Sequence, residues 1–212
     1  PAPVSASPTP PSDLLRERCL LLSGSHPPVW TLGYRSRKRQ SPTIGTHVPA
    51  PAWIDNPEYL LRRLPSAPPR IGIDTEFIRE RTYWPRLALV QMALEDEILL
   101  VDPLVPGMPQ ALAAWLQAPD VLKVMHSSSE DLVAFKCTCD ALPTPMYDTQ
   151  TAAALAGLGA GMGYQKLVER IAGVTLAKGE TRSDWLRRPL SPAQLEYAAD
   201  DVRHLGAVHD AT

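Results

Sequence analysis

The sequence predicts an α/β domain with a mixed sheet. Three apolar segments follow one another closely, at residues 71–77, 86–94 and 97–101, and the first is rich in β-branched residues. Short connections of this kind join antiparallel strands. Farther along the chain, helix patterns alternate with another apolar strand at residues 121–125, as in sheets whose parallel strands are joined by helices. The two patterns together indicate a mixed sheet, and the sequence shows no internal repeat.

The helices are predicted from capping residues and stop signals. A helix at residues 57–64 can be capped by Asp55 or Asn56, with Pro57 in its first turn. The last helix begins in the same way, with Ser191 as the cap and Pro192 in its first turn, and should extend to about Val208. The other predicted helices span residues 108–117, about 128–136, 149–156 and 164–171.

Residues 1–50 differ in composition from the rest of the chain. Fourteen of the 23 prolines precede Arg70, and Ser and Thr are abundant there. Such a segment buries too little apolar surface to offset chain entropy, so we expect a disordered leader followed by one domain at residues 51–212. The basic run at residues 35–39 is either an arm that touches RNA or, more simply, a solvated run of charge.

Charge and composition exclude several classes of protein. Before Arg70 there are eight Lys/Arg and four Asp/Glu, a balance of +4, and from Arg70 onward 13 and 19, a balance of −6. No apolar run approaches the roughly 20 residues that cross a membrane, and no signal peptide is recognisable. Three cysteines form no disulfide framework, so we expect a cytoplasmic protein. The glycines at residues 157–163 lack the Gly-Lys-Ser/Thr of a phosphate loop, so no nucleotide cofactor is expected.

The strand at residues 71–77 carries the first candidate site. Asp74 and Glu76 are two residues apart, so their carboxylates point to the same side of a strand. Two like charges on an apolar strand repel each other unless a cation lies between them. Oxygen ligands of this kind suit Mg²⁺ or Mn²⁺ better than zinc. The alternative is a strand end that dips into solvent, where two acids cost nothing.

Two later acidic clusters add candidates. Asp131 lies in the first turns of a helix that follows a strand, and ligands bind at such junctions in open α/β sheets. Tyr197 and Asp201 are four residues apart and therefore share a helical face. Ala198 and Ala199 leave room beside them.

These three clusters resemble the motifs of a known enzyme family. Asp74-Thr75-Glu76-Phe77, His126 with Glu130-Asp131-Leu132, and Tyr197-Ala198-Ala199-Asp200-Asp201 resemble the three motifs of the DEDD exonucleases of the tyrosine subclass, and most closely the ribonuclease D group. The resemblance covers about residues 51–212 and implies a ribonuclease H-like domain with a mixed five-stranded sheet flanked by helices. The helical RNA-binding domains that usually follow in that group are expected to be absent.

The resemblance also implies a reaction. Asp74, Glu76, Asp131 and Asp201 would hold two divalent cations, Mg²⁺ or Mn²⁺, and Tyr197 would position or help deprotonate the attacking water. The protein would then be a 3′→5′ exoribonuclease that releases nucleoside 5′-monophosphates. Its expected partner is RNA such as tRNA precursors with 3′ extensions, and we expect a monomer.

Some neighbouring residues compete for these roles. Asp200 competes with Asp201, and we assign Asp200 to the solvent side. Glu130 competes with Asp131, and the family pattern favours Asp131. His126 lies five residues before Asp131, a spacing found in the last motif of the histidine subclass.

That histidine-subclass interpretation needs another acid, for which Asp96 or Asp102 could be proposed. It also leaves the motif of Tyr197 and Asp201 unused. We therefore reject it and take His126 as a residue at a strand end near the site.

Contacts to RNA are predicted for a larger set of residues, each of which could equally be surface: Phe77, Arg79, Arg81, Tyr83, His126, Lys178, Arg182 and Trp185. Trp185 could instead fill the core beneath the last helix. Two other functions stay open. The domain could be a DNA exonuclease of the same fold, since the acids do not distinguish RNA from DNA, or a catalytically inactive nucleic-acid-binding domain.

Overall fold

A computed structural model describes residues 50–177, 179–180 and 183–212. The predicted leader, including the basic run at residues 35–39, lies outside these residues except for its last residue. The strands are β1 Ala52–Ile54, β2 Arg70–Ile78, β3 Arg86–Ala93, β4 Ile98–Val101, β5 Leu122–Met125 and β6 Met146–Asp148. The helices are α1 Pro57–Arg63, α2 Met108–Leu116, α3 Ser129–Cys139, α4 Thr149–Leu155, α5 Tyr164–Ala172, α6 Pro192–Arg203 and α7 Leu205–Ala211, and a short 3₁₀ turn at Leu64–Ser66 follows α1.

The strands form one mixed sheet in the order β1-β4-β3-β2-β5-β6. The meander of β2, β3 and β4 is antiparallel, whereas β1 pairs with β4, β5 with β2 and β6 with β5 in parallel. The α/β class and the mixed sheet are therefore confirmed. The expected number of five strands was too low, because the described residues alone form a sheet of six. The short strands β1 and β6, each three residues long, lie at its edges.

Helices cover both faces of the sheet. Apolar side chains of α1, α2 and α3 pack on one face in a first core, which includes Leu60, Ile71, Ile73, Trp115 and Phe135. Helix α6 and the start of α7 pack on the other face in a second core, which includes Leu89, Leu100, Val124, Ala198 and Val202. We call this second side the α6 face.

Most predicted helix ends are observed. The Asn56 side chain accepts a hydrogen bond from the Tyr59 N–H at 3.0 Å and caps α1. Ser191 and Gln194 form a reciprocal capping box at the start of α6. The predicted helix at residues 191–208 is instead two helices, because the chain leaves helical geometry at His204, where α6 ends and α7 begins.

A glycine in β2 sets the distance between the sheet and α7. A Cβ atom at Gly72 would lie 3.1 Å from the Leu205 Cβ and 3.3 Å from the Ala93 Cβ. The missing side chain therefore lets α7 approach β2 closely, and this contact helps to fix α6 above the acidic end of the strand. Within residues 50–177, 179–180 and 183–212, no helix has the length and apolar character needed to span a membrane.

Candidate active site

Strand β2 presents two carboxylates on the α6 face. Ile71 and Ile73 belong to the first core, so the alternating residues Asp74 and Glu76 project to the opposite side. The register between β2 and β3 shifts between Glu76 and Phe77. Such a bulge bends a strand and redirects its side chains, and bulges are common beside active sites.

Asp131 approaches this end of β2 from the start of α3. The loop between β5 and α3 brings it there, and its side chain is 7% exposed. The Thr75 hydroxyl donates a short hydrogen bond to the Asp131 carboxylate. Thr75 lies between the two acids of β2, so this bond ties Asp131 directly to the strand that carries them.

The loop before α3 is itself held by Asp148 at the end of β6. The Asp148 carboxylate accepts hydrogen bonds from the N–H and hydroxyl groups of Ser128, both at 2.9 Å, and it also caps α4. Burial alone would raise the pKa of Asp148, but these hydrogen bonds outweigh it and the pKa is lowered. Asp148 is therefore an ionised anchor for the loop that positions Asp131.

Helix α6 supplies Tyr197 and Asp201. The Tyr197 side chain hydrogen-bonds to the Asp201 carboxylate, as expected for residues that share a helical face. The ring of Trp185 packs against that of Tyr197, with 6.1 Å between the ring centroids. Ala198 and Ala199 are buried against the sheet, so α6 lies close enough to bring Asp201 to the acids of β2.

The four carboxylates influence one another electrostatically. Burial, followed by the charges of Asp131, Asp201 and Glu76, raises the pKa of Asp74 well above its usual range. Burial and the charges of Asp201 and Asp131 raise the pKa of Glu76 to about 9. Acids on three separate elements therefore form one cluster of negative charge.

The pKa values of the other two acids are raised less. Burial raises the pKa of Asp201 to about 7, with a further contribution from the Asp200 charge, while the Tyr197 hydrogen bond opposes the shift. Burial raises the pKa of Asp131 to about 6, and the hydrogen bond from Thr75 opposes it. A bound cation would reverse all these shifts, because it stabilises the ionised forms.

The competing acids have other partners. Asp200 accepts a hydrogen bond from the Arg203 Nε at 2.8 Å. Glu130 is exposed and pairs with the Arg79 guanidinium at 2.8 Å. Both arrangements agree with the choice of Asp201 and Asp131 as site residues.

The two acids proposed for the histidine-subclass interpretation, Asp96 and Asp102, do not complete a site with His126. Asp102 is 6% exposed and forms a two-pronged ion pair with Arg188, at 2.8 and 2.7 Å. Asp96 is exposed in the turn between β3 and β4. His126 follows β5, and its Nδ1 lies 2.9 Å from the Thr149 hydroxyl. Burial lowers its pKa, so it is neutral near pH 7.

The donor atoms of the cluster fit hard divalent cations. Every side chain in it offers oxygen, and the repulsion among buried carboxylates is the cost that a cation would remove. Within the part of the chain that the structure describes, no three His, Cys, Asp or Glu side chains converge on a single ion. Mg²⁺ usually takes one or two carboxylates and completes its shell with water and substrate phosphate oxygens. The cluster therefore fits cations that are shared with a phosphate-containing substrate.

The predicted RNA contacts have mixed outcomes. Arg81 and Tyr83 are exposed, Tyr83 by 75%, in the connection between β2 and β3. Arg79 is also exposed but pairs with Glu130. Phe77 is partly buried and packs against the first core. Lys178 and Arg182 lie outside the described residues.

The prediction that Trp185 contacts RNA was wrong. Its side chain is 1% exposed and belongs to the second core, so it has no free face for a base. The alternative, a core residue beneath the last helix, is the one observed. Trp84 is a better candidate for stacking on an RNA base, because it is 58% exposed. Its ring packs edge-on against that of Tyr83, with the ring centroids 4.7 Å apart. The sequence analysis did not select it, although its position in an aromatic and basic connection was visible.

Sequence analysis also missed Tyr164 in α5. Its hydroxyl accepts a hydrogen bond from the His204 N–H at 3.1 Å and donates one to the Asp200 carbonyl at 3.4 Å. It therefore bridges the break between α6 and α7, one residue from Asp201. No local signal identifies this role, because the partners lie 40 and 36 residues away.

A cavity of about 600 Å³ adjoins Asp201, one of the four carboxylates of the cluster. Tyr164, Gln165 and Lys166 of α5 line it together with Tyr197 and Asp201 of α6. It is the right size for a nucleotide-sized ligand. The cavity thus combines a cation, aromatic rings and access to the acidic cluster.

A family model described as 3′-5′ exonuclease matches residues 53–211. The chain belongs to the 3′-5′ exonuclease family. The match begins within β1 and extends to the end of α7, so it includes Asp74, Glu76, Asp131, Tyr197 and Asp201.

Relatives within this exonuclease family point to one group. Ribonuclease D of Xanthomonas oryzae pv. oryzae is 70% identical over 161 residues, which are 76% of this chain and 44% of that protein. Ribonuclease D of Escherichia coli is 45% identical over 137 residues, or 65% of this chain and 36% of the relative. The chain spans less than half the length of the curated relatives that it matches.

Solved structures share the fold. The crystal structure of Escherichia coli RNase D, an exoribonuclease involved in structured RNA processing, matches with a TM-score of 0.71 and 39% identity, over 76% of this chain and 44% of that one. NrnC of Brucella melitensis with bound Mg²⁺ matches with a TM-score of 0.59 and 25% identity, over 68% of this chain and 71% of that one. NrnC has also been solved bound to pGG.

Proposed function

We propose that this exonuclease domain is a metal-dependent 3′→5′ exoribonuclease that releases nucleoside 5′-monophosphates. The observation that carries the proposal is the cluster of four carboxylates from β2, α3 and α6. Burial and the charges of the neighbouring acids raise the pKa of Asp74, and the Tyr197 side chain hydrogen-bonds to Asp201. Its similarity to ribonuclease D supports RNA as the substrate.

The cluster binds two divalent cations, Mg²⁺ or Mn²⁺, in this proposal. Asp74, Glu76, Asp131 and Asp201 would supply oxygen ligands, and substrate phosphate oxygens would complete the coordination. When bound, the cations supply a water of lowered pKa and stabilise negative charge on the leaving 3′-oxygen. The Mg²⁺ in the related NrnC structure supports this choice of metal.

The chain's own residues orient and confine the reactants. Thr75 holds Asp131 in place through its hydroxyl. Tyr197 presents a phenol beside Asp201. There it can donate a hydrogen bond to the attacking water or accept one from it. A free phenol has a pKa near 10, so its role is to position the water rather than to remove its proton unaided.

The terminal nucleotide occupies the cavity beside Tyr197. Tyr164 offers an aromatic ring there, and Lys166 is exposed at its edge, where it can approach a phosphate. Farther along the RNA, Arg81, Tyr83 and Trp84 form an exposed basic and aromatic segment on which bases can stack. These contacts do not depend on the base sequence of the RNA, which suits an enzyme that removes nucleotides one after another.

Substrates of this enzyme are structured RNAs, such as tRNA precursors with 3′ extensions. The RNase D of Escherichia coli, described as acting in structured RNA processing, supports this choice. We place the protein in the cytoplasm as a monomer. The free thiols of Cys137 and Cys139 support a reducing compartment. The molar mass measured by light scattering after size-exclusion chromatography tests whether the protein is a monomer.

The decisive experiment compares three substrates under three metal conditions. A 3′-extended tRNA, a DNA oligonucleotide of matched sequence and the dinucleotide pGG are incubated with Mg²⁺, Mn²⁺ or chelator, and the products are resolved by chromatography. We expect metal-dependent release of mononucleotides from the RNA 3′ end. Faster degradation of DNA would instead identify a DNA exonuclease, and exclusive use of pGG would identify a dinucleotide hydrolase.

Variants assign the activity to the cluster. Asp74→Asn and Asp201→Asn should reduce the rate at least 10³-fold, because each removes a metal ligand. Asp120→Asn, an exposed acid beyond α2, is the matched control and should retain the parent rate. RNA binding without release of nucleotides by the parent under every metal condition would support an inactive binding domain.

A further inference from the structure

Gln91 in β3 is a buried amide whose polar atoms have no hydrogen-bond partner. The side chain is 0% exposed. Neither Nε2 nor Oε1 is hydrogen-bonded within the described residues. Buried polar groups in native proteins are almost always paired, because leaving them unpaired costs free energy. An amide with both ends unpaired therefore suggests a partner beyond the protein atoms described.

The sheet register places Gln91 beside Asp74. The two residues are direct partners across the antiparallel β2–β3 pair. Directly opposed residues project to the same face, with Cβ atoms about 4.5–5.5 Å apart. On its other side, Gln91 pairs with Leu100 of β4, which belongs to the second core beneath α6. The amide thus lies on the α6 face, between an apolar neighbour and the most crowded carboxylate of the cluster.

The chemistry of the amide suits that position. A ligating carboxylate needs a donor for the electron pairs that the cation does not take, and such outer partners orient metal ligands. A lysine or arginine there would add a positive charge next to the cation. An amide donates a hydrogen bond without that charge, and its Oε1 can accept one from a buried water.

We propose that Gln91 is a positioning residue for Asp74. When Asp74 ligates a cation, the Gln91 Nε2 donates a hydrogen bond to its carboxylate and holds it in the ligating rotamer. In the metal-free protein that bond is not made. Gln91 therefore favours metal binding at the expense of the stability of the metal-free fold. This assignment rests on the proposed metal-dependent activity.

The test uses Gln91→Met, which keeps the length of the side chain and removes both polar atoms. Gln110→Met, at an exposed position in α2 on the other face of the sheet, is the control. Mn²⁺ affinity is measured by calorimetry, and the melting temperature is measured in chelator, both without nucleic acid. We expect Gln91→Met to weaken Mn²⁺ binding about 10–100-fold, with a melting temperature equal to or above that of the parent. Gln110→Met should match the parent in both.

A purely structural role predicts the reverse. Gln91→Met would then melt at a lower temperature and bind Mn²⁺ as tightly as the parent, which overturns the assignment while leaving the proposed function intact. If the parent neither binds Mn²⁺ nor releases nucleotides, the proposed function fails as well. These outcomes are therefore distinguishable.

A measurement on the parent protein covers the case in which Gln91→Met does not fold. The side-chain amide protons of Gln91 are followed by NMR during a Mg²⁺ titration. We expect them to shift downfield and exchange more slowly with solvent as the site fills, whereas those of Gln110 stay unchanged. Gln91 amide resonances that do not move at saturating Mg²⁺ would contradict the proposal.

Discussion

Thr75 donates a hydrogen bond to the Asp131 carboxylate, and so the strand that carries two acids of the site also fixes a third. The bond joins residues 56 positions apart and links β2 to the start of α3. Asp131 is thereby held by a side chain that points away from the α6 face.

Replacing Thr75 with Val should disturb Asp131 without disturbing the packing. The variant keeps the shape of the side chain and removes the donor. Because that hydrogen bond opposes the rise in the Asp131 pKa, the pKa should increase further, and the exonuclease rate at pH 7 should fall about 10-fold. A profile of rate against pH should show the acidic limb moved to higher pH. Thr75→Ser keeps the hydroxyl and should restore both rate and profile.

Replacing Tyr164 with Phe tests the bridge between α6 and α7. The variant loses hydrogen bonds to the His204 N–H and the Asp200 carbonyl, so unfolding should cost about 1–2 kcal/mol less free energy. Because the bridge lies next to Asp201, the exonuclease rate should also fall, by at least about 3-fold.

Tyr147→Phe is the matched control for that experiment. The Tyr147 hydroxyl lies 3.2 Å from the hydroxyl of Thr212, which directly follows α7. Its loss should lower stability by a similar or smaller amount and leave the rate unchanged. Equal loss of activity in both variants would mean that Tyr164 acts only through general stability. Urea unfolding and rates at 25 °C measure the two effects separately.

The geometry of the acids could be predicted where a single element fixes it. Asp74 and Glu76 share a side because strands alternate, and Tyr197 and Asp201 share a side because four residues make about one helical turn. The position of Asp131 followed from a general property of strand–helix junctions. Local rules therefore predict the two pairs, whereas the choice of Asp131 over Glu130 came from the resemblance to the exonuclease motifs.

Features that depend on distant contacts could not be predicted. The edge strands β1 and β6 are three residues long and too short to show an alternating pattern. For Trp185 the sequence left a core position and an RNA contact both open, and only the packing of α6 shows that it is buried. The break at His204 has no proline at the boundary. It follows instead from the fit of α7 against Gly72 and from the Tyr164 hydroxyl.

The metal-free protein should lose stability as pH rises from 6.5 to 8.0. The folded-state pKa values of Glu76 and Asp201, about 9 and about 7, exceed the ordinary values of 4.5 and 3.8. Between the ordinary and raised values, the folded state holds more protons than the unfolded state. Stability from these groups is therefore complete below about pH 4 and is lost as pH rises through the folded pKa values.

Other groups titrate near the edges of this window and oppose the decrease in part. Burial lowers the pKa of His126 and of His204 below the ordinary 6.5, and it lowers the pKa of Lys123 to about 8. Each of these groups therefore adds up to about 0.4 kcal/mol of stability between pH 6.5 and 8.0. We expect the free energy of unfolding in chelator to fall by about 1–3 kcal/mol across the window. Glu76→Gln should flatten the decrease and stabilise the metal-free protein at pH 8.0. Stability that rises with pH in chelator would contradict the prediction.

Bound metal should reverse this loss of stability with rising pH. Cations bind the ionised carboxylates, so saturating Mn²⁺ should raise the melting temperature more at pH 8.0 than at pH 6.5. Glu76→Gln should reduce that gain at both pH values because it removes a ligand. Asp120→Asn serves as the control, and scanning fluorimetry with Mn²⁺ or chelator measures each difference. An equal gain in Glu76→Gln and parent would exclude Glu76 from the metal site.

The ion pair between Arg188 and Asp102 should stabilise the segment that leads into α6. Arg188 donates to both carboxylate oxygens and also to the Ala88 carbonyl at 2.6 Å, and its guanidinium lies 5.2 Å from the centre of the Trp53 ring. Arg188→Met leaves a buried carboxylate without its charge partner, so the free energy of unfolding should fall by about 3–5 kcal/mol.

Removing both charges should cost less than removing one. In Arg188→Met with Asp102→Leu, no charge is left unpaired, and the double variant should regain at least about 1 kcal/mol relative to Arg188→Met. Neither residue contacts the carboxylate cluster, so the rate per folded molecule at 25 °C should stay within about 3-fold of the parent. If the double variant unfolds more easily than Arg188→Met, then Asp102 stabilises the fold through the Leu104 N–H at 3.1 Å rather than through Arg188. Urea unfolding of the parent, Arg188→Met, Asp102→Leu and the double variant completes the cycle and separates the two contributions.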